Sequence, residues 1–174
     1  ANAFYKLGRF REAILSYTEA IKLNPSYTVA HYNLANTFQE LDKYDEAITS
    51  YIQAIKLDPG YIAAHYNLGN ALQELDKYDE AIASYNQAIQ LKPDYFEAHN
   101  NLGNALNELG KYEAAVVSFT QAIRLKSDFA EAYNHLGMAL MKSGRYRNAL
   151  EIMQKRKGVI EFRNDNSGKF SIRT

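Results

Sequence analysis

The sequence predicts an all-α fold, a right-handed superhelix of stacked helix pairs closed by a short β-hairpin-like tail, on three observations. Residues 28–61 set over 62–95 repeat at a period of 34 with 24 of 34 positions identical, and a period of that size marks a helical solenoid. Within each unit, apolar residues return at steps of three and four, the spacing of one helix face. Turn and stop residues punctuate every unit at the same two places.

The elements follow in order. The register runs back from Thr28, so that Ala1 falls at the eighth position of an incomplete first repeat (1–27), and continues through 28–61, 62–95, 96–129 and a degenerate last repeat, 130–157. Leu68, Gly69 and Leu72 mark the first helix of a unit, and Tyr78, Ala81, Ile82, Tyr85, Ala88 and Ile89 mark the second. Between the helices Gly8, Gly110 and Gly144 share a slot with Asp42 and Asp76, residue types suited to a left-handed turn position. Pro25, Pro59 and Pro93 close the second helices. Small residues (Ala35, Gly69, Gly103 and Gly137 on first helices, Ala47, Ala81, Ala115 and Ala149 on second ones) let paired helices approach to about 8–10 Å. Ser127 in place of the closing proline and Arg156 in place of alanine suggest the array ends there. In the remaining segment, 158–174, Val159, Ile160 and Phe162 precede an Asn/Asp/Ser/Gly cluster, and Phe170 and Ile172 alternate with polar residues after it, so it reads as a hairpin or the start of a further domain. A lone hairpin is marginal in water, and docking on the last helix is the favoured expectation over pairing with another chain.

Composition bounds the function. Twenty basic and twenty acidic side chains cancel, so no global field draws the chain to nucleic acid or an anionic membrane. No apolar stretch is long enough to span a bilayer. The absence of cysteine excludes disulfides, thiolate metal sites and cysteine nucleophiles. No signal peptide is legible. The first residues already lie inside a repeat, so the natural N-terminus is expected upstream, and a cytoplasmic setting is only the default.

With leucine at repeat position 7, Gly or Ala at 8, an aromatic at 17, Ala at 20, an aromatic at 24, Ala at 27 and Pro at 32, the chain resembles the tetratricopeptide repeat family from about Ala1 to Met153. It departs at position 4, where the family often places tryptophan and this chain has His31, His65 and His99, then Tyr133. The resemblance implies a superhelix whose inner wall is lined by the first helix of every unit. Positions 2, 5, 6, 9, 12 and 13 then share one face.

On that face position 6 carries Asn33, Asn67 and Asn101, then His135, and position 9 carries Asn2, Asn36, Asn70 and Asn104, then Met138. Asparagine is a mediocre helix former, so its recurrence needs another reason. A carboxamide offers both donor and acceptor and can pair with the backbone of an extended peptide whatever its side chains. Repeats stacked at about 10 Å meet a strand rising about 3.3 Å per residue roughly once in three residues. The column resembles the asparagine ladder of the tetratricopeptide arm of O-GlcNAc transferase, which holds polypeptides by their main chain. The same residues admit a second reading, as bonds between neighbouring helices at the repeat interface. Tyr32 and Tyr66 at position 5 offer amphipathic contact surface. Glu40, Glu74 and Glu108 at position 13, with Glu97 and Glu131 at position 2, make the central groove acidic, with Lys6 and Lys142 at its ends, which favours basic or neutral peptides. The Lys and Arg residues with which relatives clamp acidic chaperone tails are absent, so no affinity for such tails is expected.

Sharper chemistry finds little support. His31, His65 and His99 recur once per repeat, about 10 Å apart, too far for one ion, and are expected to pack between helices. No nucleophile elbow, phosphate loop or zinc-binding HExxH occurs, and no catalytic residue, metal site or cofactor is expected. The Lys155–Lys157 run is too short to argue for nucleic acid and favours a helix C-terminus. Tyr27, Tyr61, Tyr95 and Phe129 are expected at repeat interfaces. The reading is a non-enzymatic interaction scaffold for an extended polypeptide. Its alternatives are the substrate-recruiting arm of a larger enzyme such as a glycosyltransferase, and a self-assembling module forming homo-oligomers through exposed solenoid ends or the tail.

Overall fold

The helical pattern of the sequence is realised as an unbroken stack of helix pairs in the computed structural model, which describes residues 1–155, 161–164 and 170–173. The first helices of the units are α1 (Asn2–Lys6), α3 (Thr28–Gln39), α5 (Ile62–Glu74), α7 (Phe96–Glu108) and α9 (Ala130–Lys142). Their partners are α2 (Phe10–Leu23), α4 (Tyr44–Leu57), α6 (Tyr78–Leu91), α8 (Tyr112–Leu125) and α10 (Tyr146–Lys155). Each helix packs on its neighbour in the chain. In addition α3 touches α5, α5 touches α7 and α7 touches α9, with no comparable contact between successive second helices among the described residues. The first helices therefore crowd together on the inside of a curved array.

Turn chemistry explains the regularity. Asp42, Asp76, Gly8, Gly110 and Gly144 all have φ between +55° and +78°, the left-handed conformation the tight inter-helix turn demands. Asp76 offsets part of the strain by accepting a hydrogen bond from the Tyr78 hydroxyl, as Asp42 does from Tyr44. At the other end of each unit, Asn24, Asp58 and Lys92 turn extended (φ near −140°). That is the conformation a following proline imposes on its predecessor. The carbonyls of Pro25, Pro59 and Pro93 are held by Nε2 of His31, His65 and His99, each at 3.0 Å. The histidine column thus locks each first helix to the turn before it, donating from Nε2–H. Among the described residues no group of His, Asp and Glu is placed to hold a metal ion, and no helix is long and apolar enough to cross a membrane.

The core is a row of large second-helix rings pressed onto small first-helix residues. Tyr51, Tyr85 and Phe119 are at most 1% exposed, and full burial of such a ring contributes about 1.5–3 kcal/mol. A Cβ added at Gly69 would lie 2.5 Å from the Tyr85 ring, and one at Gly103 2.6 Å from that of Phe119, so only glycine permits the approach without displacing the ring. Between repeats, Lys77 reaches Asp45 at 3.3 Å and Lys111 reaches Asp79 at 3.2 Å, exposed pairs that fix register more than they stabilise.

Beyond α10, β1 (Glu161–Asn164) pairs antiparallel with β2 (Phe170–Arg173), with Phe162 opposite Ile172. The expected docking of this tail lies outside the described residues, as do residues 156–157 of the basic run, whose first member, Lys155, ends α10.

Replacing Gly110 by alanine imposes a Cβ on a left-handed residue, at about 1–2 kcal/mol. Chemical denaturation should show that loss with helicity below the transition unchanged.

Candidate functional site

A buried phenol must hydrogen-bond, and this requirement organises the inner face. The hydroxyl of Tyr51, at position 24 of its repeat, donates toward Asn36 Oδ1 at 2.5 Å and Gln39 Oε1 at 2.9 Å. Tyr85 does the same with Asn70 Oδ1 at 2.9 Å and Gln73 Oε1 at 3.3 Å, and Tyr17 with Asn2 Oδ1 at 2.6 Å. Burial pushes the Tyr51 and Tyr85 hydroxyls well above the ordinary phenol range.

The next repeat then joins the network. Asn67 Nδ2 donates to Asn36 Oδ1 and to the Tyr32 hydroxyl, both at 3.1 Å. One repeat on, Asn101 Nδ2 donates to Asn70 Oδ1 at 2.9 Å and to the Tyr66 hydroxyl at 3.1 Å. Asn36 therefore spends both lone pairs of its oxygen on the scaffold, while its amide nitrogen takes no part in the network. Asn67 is its complement, engaged through nitrogen with the oxygen outside. All four residues are partly exposed.

The remaining sequence-predicted residues are placed as follows. Asn33 lies with Asn2, Tyr17 and Tyr27 around a cavity of about 400 Å³ at the first junction. Tyr32 and Tyr66 pack against Tyr61 and Tyr95 in tilted ring contacts, with centroids 4.8 Å apart in both pairs. They thus serve the repeat interface more than an open surface. Glu40 accepts from the Tyr5 hydroxyl at 3.0 Å; burial and this carboxylate push Tyr5 up to about 12. Glu74 and Glu108 stand exposed, their charges felt by Tyr44 and Tyr78 of the preceding repeats. Lys142, in the same column, instead lies over the Tyr112 ring at 5.7 Å.

The pattern breaks between the repeats 96–129 and 130–157. Phe119 stands where Tyr51 and Tyr85 stand, so no hydroxyl is available. Asn107 replaces the glutamine, and its buried Oδ1 is the one buried side-chain polar atom without a hydrogen-bond partner among the described residues, a state that costs about 1–3 kcal/mol. His135 replaces the position 6 asparagine. Its Nδ1 lies 3.1 Å from Oδ1 of Asn100, which is 1% exposed, and its ring 5.4 Å from that of Phe119. Burial lowers the His135 pKa, against a smaller upward pull from Glu131. Asn104 joins Asn107, Glu108, Glu74, His135 and Met138 around a cavity of about 400 Å³. Tyr51, Gln39 and Asn107 carry the chemistry of this face yet were not singled out by sequence. The available signal was that positions 12 and 24 change together, from Gln with Tyr to Asn with Phe.

A model of the TPR repeat matches residues 1–42, 40–76, 74–108 and 103–144. No curated protein matches the chain. Among solved structures, a crystal structure of MamA shares 27% identity with a TM-score of 0.86, over 88% of this chain and 90% of that one. MamA from Desulfovibrio magneticus RS-1, residue 41 to its end, shares 21% with a TM-score of 0.84, over 88% and 87%. YrrB, described as a TPR protein with an unusual peptide-binding site, shares 23% with a TM-score of 0.80, over 88% and 79%.

Tyr85→Phe should cost about 1 kcal/mol by removing the donor to Gln73 and one of the two donors to Asn70 Oδ1, which keeps its bond from Asn101, whereas Phe119→Tyr should add about 1 kcal/mol by giving Asn107 a donor; paired thermal melts decide both signs. At alkaline pH, unfolded tyrosines ionise near pH 10 while Tyr51 and Tyr85 stay protonated in the fold. Stability is therefore level below pH 10 and falls as pH rises above it. Phenolate absorbance of these two rings should appear only together with loss of helical circular dichroism.

Proposed function

Because the chain belongs to the TPR repeat family, we propose that it is a protein-interaction module that holds an extended polypeptide along its first helices, reading the peptide main chain through asparagine carboxamides. The observation that carries the reading is the split use of those carboxamides. The Asn36 oxygen and the Asn67 nitrogen are fixed by the scaffold, which orients the opposite ends, one donor and one acceptor, away from the network. An extended peptide presents the complementary pair, carbonyl and amide, at every residue. Pre-orientation by internal bonds lowers the ordering loss on binding. The face is therefore read as scaffold and site at once, in the manner of the ladder in the arm of O-GlcNAc transferase.

The likeness in fold to YrrB, a TPR protein with a peptide-binding site, supports the ligand class. Exposed Glu74 and Glu108 favour basic or neutral polypeptides over acidic ones. The function is binding, with no catalytic role assigned to any residue.

The test exploits the split. Asn36→Asp with Asn70→Asp keeps the oxygens that accept from Tyr51, Tyr85, Asn67 and Asn101 but deletes the outward amides. Fluorescence anisotropy of randomised uncharged nonapeptides should show at least fivefold weaker binding to this variant, with its melting temperature retained. Equal affinity for variant and parent would sink the main-chain reading.

A further inference from the structure

Where the ladder breaks, the face has what main-chain reading does not need, a cavity rich in acceptors. Asn107 Oδ1 is buried with no partner. The carboxylates of Glu74 and Glu108, the carboxamide of Asn104 and the imidazole of His135 border the same space. His135 adds an acceptor, because an Nδ1–H held by Asn100 Oδ1 leaves Nε2 with its lone pair. No lysine or arginine lines the cavity, and neither glutamate forms an ion pair among the described residues. At the corresponding places one and two repeats earlier, the space is spanned by tyrosine hydroxyl to glutamine and asparagine. Here Phe119 brings no hydroxyl, and Asn107 and His135, which do line the cavity, stand where the earlier repeats have glutamine and asparagine.

We propose that this cavity, lined from α5, α7 and α9, is a side-chain pocket that takes an arginine of the bound polypeptide, the guanidinium entering among Glu74, Glu108, Asn107 and His135 and its methylene stem lying along Met138. The proposal rests on the main-chain reading for the course of the peptide. A guanidinium fits because it carries a fixed positive charge and five N–H donors, against a cavity bordered by the carboxylates of Glu74, Asp76 and Glu108 with no lysine or arginine among its lining residues. Met138 is 47% exposed, an apolar thioether suited to an aliphatic stem. Register along the peptide is then set at one place. The ladder grips any sequence, and the pocket selects where along the sequence the grip begins.

The test compares three probes on the whole 174-residue chain. Two are nonapeptides of alanine and glutamine that differ only at the centre, arginine in one and its uncharged isostere citrulline in the other. The third is N-acetylarginine methylamide, which has no extended backbone to grip. The arginine peptide is expected to bind at least tenfold tighter than the citrulline peptide at low salt, and that ratio should fall toward one in Glu74→Gln with Glu108→Gln. It should fall likewise in Phe119→Tyr, a variant expected to be more stable than the parent, so misfolding does not explain its loss. The single amino-acid derivative should shift the NMR signals of the Asn104 and Asn107 amides at millimolar concentration. Equal binding of the two peptides, or a ratio preserved in both variants, overturns the pocket while leaving the ladder standing. Failure of both peptides to bind, with the Asn104 and Asn107 shifts retained, overturns the ladder and keeps the pocket; with those shifts also absent, both ideas fall.

Discussion

The hydroxyl of a buried tyrosine is the constraint on which the inner face depends. Tyr51 and Tyr85 contribute their rings to the core, and that burial carries an obligation, since a phenol without a partner forfeits much of what its ring gains. The acceptors it finds are on the first helix of the same unit, asparagine at position 9 and glutamine at position 12. Packing energy and polar satisfaction thus meet in one residue.

From that obligation the rest follows in steps. An asparagine oxygen that has accepted one phenol still has a lone pair, and the next repeat uses it through Asn67 or Asn101. The bond spans the junction between units, so the same atoms that complete a core also set how one repeat sits on the next. Tyr32 and Tyr66 close the bridge by accepting from the same nitrogens and packing against Tyr61 and Tyr95. Outside the junction the histidines perform a parallel task, tying the first helices to proline carbonyls. A repeat of this kind leaves few polar groups to chance, which is why the one orphan among the described residues, Asn107 Oδ1, is informative.

The junction between repeats 96–129 and 130–157 shows what happens when the obligation is lifted. With phenylalanine at 119 there is no hydroxyl to satisfy, the asparagine–glutamine pair loses its purpose, and positions 12, 6 and 9 of the neighbouring helices are released to Asn107, His135 and Met138. The core itself is conserved in shape, because the Phe119 ring fills the place of Tyr85 against glycine. Only the polar layer changes. Variation at that layer leaves the packed core in place and acts directly on the exposed face, so a nearly periodic chain can acquire one place unlike the others.

The sequence by itself determined the repeat, its period, the left-handed turn residues and the small-on-large packing columns, because each follows from local geometry or from spacing along one chain. Gly110 and Asp76 needed positive φ, and Leu68, Gly69 and Leu72 shared a face, before any neighbour was known. It also placed the asparagines on one face. What only the tertiary structure decided is which end of the Asn36 and Asn67 carboxamides is left outside the network. That depends on the reach of Tyr51 from one helix and Asn67 from the next, contacts between residues 15 and 31 apart whose directions no periodicity encodes. An amide is two groups on one carbon, and a neighbour must choose between them.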